Sequence, residues 1–231
     1  IYPAMVIGSL GNHYAIENLL KANQCGLRQA RKLFLLLPDN IPLRNPALFS
    51  YFEPHLCVFR DHESITSLRR LEALLTLPLG WCLPMIDGCY FLDLAANRAE
   101  MEREKHELDQ PLFHLNKIHR EMGRRVLELL GLPGDAWYVT LHVREPGYRG
   151  ETHKNTTENW RNANPHDYVK AIEAVTSSGG WVFRMGDPSM SELPSRPQLI
   201  DYAHHEIRSD WMDVFLGATC RFLIGTASGF L

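Results

Sequence analysis

Short apolar runs alternate along this chain with stretches where apolar residues recur every third or fourth position. The first pattern belongs to buried strands, the second to helices with one apolar face. Ala4-Met5-Val6-Ile7 meets a glycine turn at Gly8-Ser9-Leu10-Gly11, and Ile16, Leu19 and Leu20 then mark a helix that fades near Gly26. The run from Lys32 to Leu37 stops at Pro38-Asp39-Asn40, a strong turn signal. Leu56-Cys57-Val58-Phe59 leads into a helix expected from about Ser64 to Leu77, with Ile65, Leu68, Leu71, Leu74 and Leu75 facing a core. Trp81 to Leu94 is apolar but broken by Pro84 and Gly88, and reads as strand and loop. Ala95 to Leu108, dense in both signs of charge, reads as a solvated helix face.

In the second half, Leu115, Ile118, Met122, Val126 and Leu129 mark a long amphipathic helix ended by Gly131 and Pro133. Gly131-Leu132-Pro133-Gly134-Asp135 is the expected domain boundary, separating 1–131 from 132–231. A strand over Trp137–Val143, a long polar loop and a helix capped by Asn164-Pro165 follow. Next come a strand over Trp181–Met185, a proline-rich loop, a short strand near Leu199-Ile200, a helix from about Asp210 to Ala218, and a final strand. Such alternation argues for two α/β layers with mainly parallel sheets.

Composition narrows the functional classes. The 231 residues are 45% hydrophobic, enough for one or two packed cores. A formal net charge of −3 gives no general attraction to nucleic acid, so any phosphate site must be local. Cys25, Cys57, Cys82, Cys89 and Cys220 are odd in number, with no C-x-x-C pair, and read as buried thiols in a reducing compartment. No apolar run approaches the ~20 residues needed to span a bilayer, and a soluble cytoplasmic protein is the expectation.

Three strand ends carry the candidate chemistry. His142-Val143-Arg144-Glu145 closes the first, and alternation sets His142 and Arg144 opposite Leu141 and Val143. A guanidinium fork suits a diphosphate, although Arg144 could instead pair with Glu145 and His142 could be a core histidine. Arg184-Met185-Gly186-Asp187 closes the second. Asp187 can accept the paired N–H donors of guanine, or simply open an Asp-Pro turn. Arg184 reads equally as a phosphate ligand or a surface cation. Gly225-Thr226-Ala227-Ser228-Gly229 closes the third, where small residues let backbone N–H groups and the Thr226 and Ser228 hydroxyls approach a phosphate. A helix cap at Ser228 with no ligand is the competing reading. Open α/β sheets bind ligands beyond such strand ends.

Two further stretches join these. Gly8-Ser9-Leu10-Gly11-Asn12-His13 is a glycine turn whose His13 could take a hydroxyl proton near neutral pH, or be scaffolding. The loop from Glu145 to Asn164 holds Tyr148, Arg149, His153, Lys154, Trp160, Arg161 and Asn162, and long ordered loops are often functional.

Together these motifs resemble the fucosyltransferase-like glycosyltransferases of the GT-B fold, and most nearly a bacterial family within them. The resemblance rests on the C-terminal hundred or so residues, above all the block from Asp213 to Gly229, and in the N-terminal half on the glycine turn. It implies a GT-B-like α/β fold of two Rossmann-like domains: 1–131 on the acceptor side, and 132–231 binding the donor nucleotide. The second is expected to be incomplete, because the chain stops where a helix should begin.

It further implies that His142, Arg144, Asp187, Thr226, Ser228, Gly229, Gly11, Asn12 and Arg161 surround a nucleotide-sugar, Arg144 holding the β-phosphate and Asp187 the base of a GDP-linked donor. Arg144 and His13 become the catalytic candidates. The absence of a D-x-D pair fits GT-B enzymes that use neither metal nor other cofactor. The acceptor would be a hydroxyl of a surface glycan or other glycoconjugate. Two rivals stand beside this expectation: a non-catalytic nucleotide-sugar or glycan-binding module, and an unrelated α/β transferase or phosphatase.

Overall fold

The computed structural model describes residues 2–3, 13–28, 33–74, 82–108, 110–146 and 159–228. The chain divides into two compact units, Ile1–His114 and Leu115–Leu231.

In the first unit, β1 (Tyr2–Pro3), β2 (Leu33–Leu36) and β3 (Leu56–Phe59) form a parallel sheet in that order. Around it lie α1 (Tyr14–Gln24), α2 (Pro46–Phe52) and α3 (His62–Leu74). Asn45 caps α2, its side chain accepting from Leu48 N at 2.7 Å, with Pro46 at the first turn where its missing N–H costs nothing. The apolar interruption at Trp81–Leu94 proves to be an antiparallel hairpin, β4 (Cys82–Met85) and β5 (Gly88–Phe91), leading straight into α4 (Leu92–Lys105).

Helix α4 is not wholly solvated. Ala95, Ala99 and Arg103, spaced by four, are buried, and the two alanines share a core with Ile16, Leu19 and Ala22 of α1. Small residues let two helices approach, which a count of charges cannot reveal. Arg103 satisfies its guanidinium on the carbonyls of Leu108 (2.8 Å) and Gln110 (2.6 Å) and on the Gln24 amide. The cysteines also depart from expectation, since Cys25, Cys57 and Cys220 are half-buried and Cys89 is exposed.

The second unit is a three-layer sandwich. Its parallel sheet comprises β6 (Tyr138–His142), β7 (Trp181–Arg184), β8 (Leu199–Ile200) and β9 (Leu223–Gly225), in the order β8-β7-β6-β9. Alternation divides β6 as expected. Val139, Leu141 and Val143 face a core with Ile172 and Val175 of α6 (Val169–Ser177), while Tyr138 faces a core with Met212, Phe215 and Leu216 of α7 (Asp210–Thr219).

The boundary expected at Gly131 falls instead between His114 and Leu115, ahead of α5 (Lys117–Leu129). That helix covers the second sheet beside α7, with Val126, Leu127 and Leu130 packed on the Tyr138–Phe215 core. Of the face the apolar period suggested, Leu115 and Val126 pack on this core, whereas Ile118, Met122 and Leu129 are exposed. Gly123 explains this. A Cβ there would sit 2.2–2.4 Å from ring atoms of Phe215, so a glycine lets α5 press its backbone on that ring. No described helix is long and apolar enough to cross a membrane.

Candidate functional site

Strands β7 and β8 lie on one side of β6, while β9, reached through α7, lies on the other. The order therefore reverses between β6 and β9, the kind of place beyond which open α/β sheets bind ligands. The pairing there is close. Gly225 stands opposite His142, where a Cβ would come within 2.3 Å of the His142 carbonyl oxygen. Any larger residue would push the end of β9 away from β6.

Beyond the strand ends the two segments are tied together. Thr226 N donates to His142 O at 3.1 Å, and Arg144 N donates to Thr226 Oγ1 at 2.8 Å. Ser228 Oγ lies 3.1 Å from His142 Nδ1. Burial, reinforced by the nearby Arg184 charge, pushes the His142 pKa down to about 4, so the ring is neutral at physiological pH. Arg161, in a short 3₁₀ turn over Asn159–Arg161, donates Nε to Ala227 O at 2.9 Å, and Ala163 N donates to Arg144 O at 3.0 Å. His142, Arg144, Arg161, Thr226 and Ser228 thus belong to one hydrogen-bonded cluster. It brings two arginines and two hydroxyl residues together where the sheet order reverses, residue types that suit a diphosphate.

The remaining expectations fare differently. Asp187 opens a turn, its Oδ1 accepting from Ser189 N at 3.0 Å. His13 is 3% exposed, its ring 5.5 Å from that of Phe52, and this is the setting of a packed core histidine rather than of a base open to an acceptor. Gly11, Asn12 and Gly229 lie outside the described residues, as does the loop over 147–158.

Arg184 is neither a phosphate ligand nor a surface cation. Completely buried, it donates to Glu145 Oε1 at 2.6 Å and to Asp201 Oδ1 at 3.2 Å. Glu145 Oε2 accepts from Ser191 N (2.9 Å) and Ser191 Oγ (2.5 Å); Asp201 Oδ2 accepts from Leu193 N (3.0 Å) and faces His204 Nδ1 (3.0 Å). The pairing of Glu145 with Arg144, open on sequence grounds, is therefore replaced by one with Arg184. This network fastens the proline-rich loop after β7 to the end of β6. Its only trace in the sequence is that Glu145 and Arg184 each adjoin a strand-end motif.

A second polar group sits under α7. Tyr202 OH donates to Asp213 Oδ1 at 2.7 Å and accepts from Ser209 N at 3.0 Å, and burial raises the Asp213 pKa to about 6. Asp213, in the block that carried the family resemblance, thus anchors the helix leading to β9.

No family model and no curated protein matches this chain. Among solved structures it is similar to E. coli ADP-heptose lps heptosyltransferase II, with a TM-score of 0.52 and 12% identity over 96% of this chain and 77% of that one. At such identity the likeness is one of fold: α/β with parallel sheets, as in that GT-B glycosyltransferase.

Proposed function

We propose that the protein is a glycosyltransferase that takes a sugar from a nucleoside diphosphate. The observation that carries this reading is the cluster of Arg144, Arg161, Thr226 and Ser228 at the reversal between β6 and β9. The fold shared with a heptosyltransferase supports it, and so does the resemblance of the strand-end motifs to fucosyltransferase-like enzymes.

In the proposed reaction an acceptor hydroxyl oxygen bonds to the anomeric carbon while the bond from that carbon to the β-phosphate oxygen breaks. The hydroxyl proton passes to a base, and the pair of electrons leaves with the diphosphate. In this reading Arg144, Arg161 and the hydroxyls of the 226–228 turn stabilise that developing charge, the role in which preorganised donors contribute most. Neutral His142 keeps Ser228 in position without adding a charge that would vary near pH 7. His13, packed against Phe52, is not assigned the base.

The finer reading is a GDP-linked donor, because the Asp187 carboxylate at the end of β7 can pair with guanine N1–H and its amino group while adenine offers no such donor pair. The acceptor is a hydroxyl of a glycan or glycoconjugate.

Arg144→Ala tests the reading. A charge-assisted phosphate contact contributes roughly 1.5–3 kcal/mol, so nucleoside diphosphate affinity should fall at least tenfold, with turnover falling further. Arg144→Lys should restore little, because an ammonium lacks the fork. Binding that survives Arg144→Ala, together with a sharply lower melting temperature, would make the arginine structural and place the site elsewhere. In the same assay GDP should bind more tightly than ADP or UDP; equal affinities would remove the guanine argument.

A further inference from the structure

Trp160 is 79% exposed and immediately precedes Arg161 of the phosphate-type cluster. Its position is not that of a loose surface side chain. The residue that follows it, Arg161, is held by Nε to Ala227 O, and two residues further Ala163 N is held to Arg144 O. The segment that follows Trp160 is therefore tethered to the residues after β6 and to those after β9. Exposing so large an apolar ring costs free energy unless something covers it, and aromatic rings beside polar sites are common ligand contacts.

The sheet order indicates which part of a ligand would lie there. Asp187, the candidate base reader, follows β7, whereas Arg161, next to Trp160, is bonded to the turn after β9. Strands β7 and β9 are two strand spacings apart, about 10 Å. A nucleotide with its base toward β7 and its phosphates on the Thr226–Ser228 turn would carry its sugar toward the β9 side. We infer that Trp160 is a stacking platform for the sugar of the donor, its ring face meeting the C–H face of the pyranose. The negative face of an indole attracts the weakly positive C–H hydrogens on the apolar side of a sugar ring. Trp160 would then contribute to recognising the sugar and not the nucleotide.

This inference rests on the proposed nucleotide-sugar site, and the experiment separates the two. Dissociation constants are measured for GDP, GDP-mannose, ADP and ADP-glucose with the wild type and with Trp160→Ala, Trp160→Phe and Arg144→Ala, each checked for an unchanged melting temperature. Trp160→Ala should weaken the sugar-nucleotide roughly tenfold, as expected for loss of one aromatic stack, while the matching diphosphate changes less than about twofold. Trp160→Phe should keep most of the affinity. If Trp160→Ala weakens the diphosphate as much as its sugar conjugate, the ring stacks on the base and the inference fails. It also fails if neither changes while Arg144→Ala abolishes binding, an outcome that leaves the nucleotide site standing. Failure of the wild type to bind any of the four would overturn the site and the platform together.

Discussion

Arg184→Met isolates the buried charge network at the end of β7. The side chain has no solvent exposure, and among the described residues its partners are two carboxylates, Glu145 at 2.6 Å and Asp201 at 3.2 Å. Methionine roughly fills the volume of the stem but removes the guanidinium, leaving both carboxylates without their cation. Removing one partner of a buried pair costs about 3–5 kcal/mol. Both carboxylates keep other contacts here, Glu145 to Ser191 and Asp201 to Leu193, which places the cost near the lower end, about 3 kcal/mol. Replacing all three groups (Arg184→Met, Glu145→Gln, Asp201→Asn) should recover part of the loss, because no uncompensated charge then remains.

Urea unfolding at pH 7 followed by tryptophan fluorescence suits this test. Four of the five tryptophans (Trp137, Trp160, Trp181, Trp211) lie in the second unit, so the signal reports mainly on the unit that contains Arg184. With a slope of about 1–3 kcal/mol per molar urea, the midpoint should fall by at least about 1 M. Limited proteolysis should also open the 187–193 loop, which the network fastens through Ser191 and Leu193. Arg144→Met, at a half-buried neighbouring position, should change the midpoint little. An Arg184→Met midpoint within about 0.3 M of wild type, or an Arg144→Met loss of equal size, would refute the assignment.

Two further predictions concern the helices behind the site. Gly123→Ala should destabilise the second unit by roughly 1–2 kcal/mol, because overpacking against the Phe215 ring exceeds the gain of about 1 kcal/mol in helix propensity; a raised melting temperature would show that α5 does not press on that ring. Asp213, whose pKa is raised to about 6 from an ordinary 3.8, makes the folded chain hold more protons between those values, so its contribution to stability falls as pH rises from about 4 to 6. Asparagine has no such titration. The stability of Asp213→Asn relative to wild type should therefore improve by up to about 3 kcal/mol between pH 4 and pH 7, and a difference independent of pH would sink the argument.

Much of the second unit is legible without coordinates. Each residue of a strand turns its side chain by half a revolution and each residue of a helix by about 100°, so Val139, Leu141 and Val143 announce a buried strand and Ile172 and Val175 a buried helix face. For the same local reason Arg144 and Thr226 could be placed just past strand ends. Local pattern does not say which strands become neighbours. That β9 pairs with β6 on the side opposite β7 is decided by how α7 packs across the sheet, and this pairing brings Thr226 within 2.8 Å of Arg144 N. The chain pattern also favoured Leu115, Ile118, Met122, Val126 and Leu129 as the buried face of α5, yet with Gly123 fitted closely on Phe215 only Leu115 and Val126 of these pack on the core. Arg184 reads as an exposed or ligand-binding cation until Glu145 and Asp201, 39 residues before it and 17 after, are seen to surround it. A buried charge is tolerable only when such partners converge, and their convergence is a property of the tertiary structure. Side-chain periodicity is set residue by residue along the backbone, whereas strand neighbours, helix contacts and charge partners are set by packing between segments far apart in the chain.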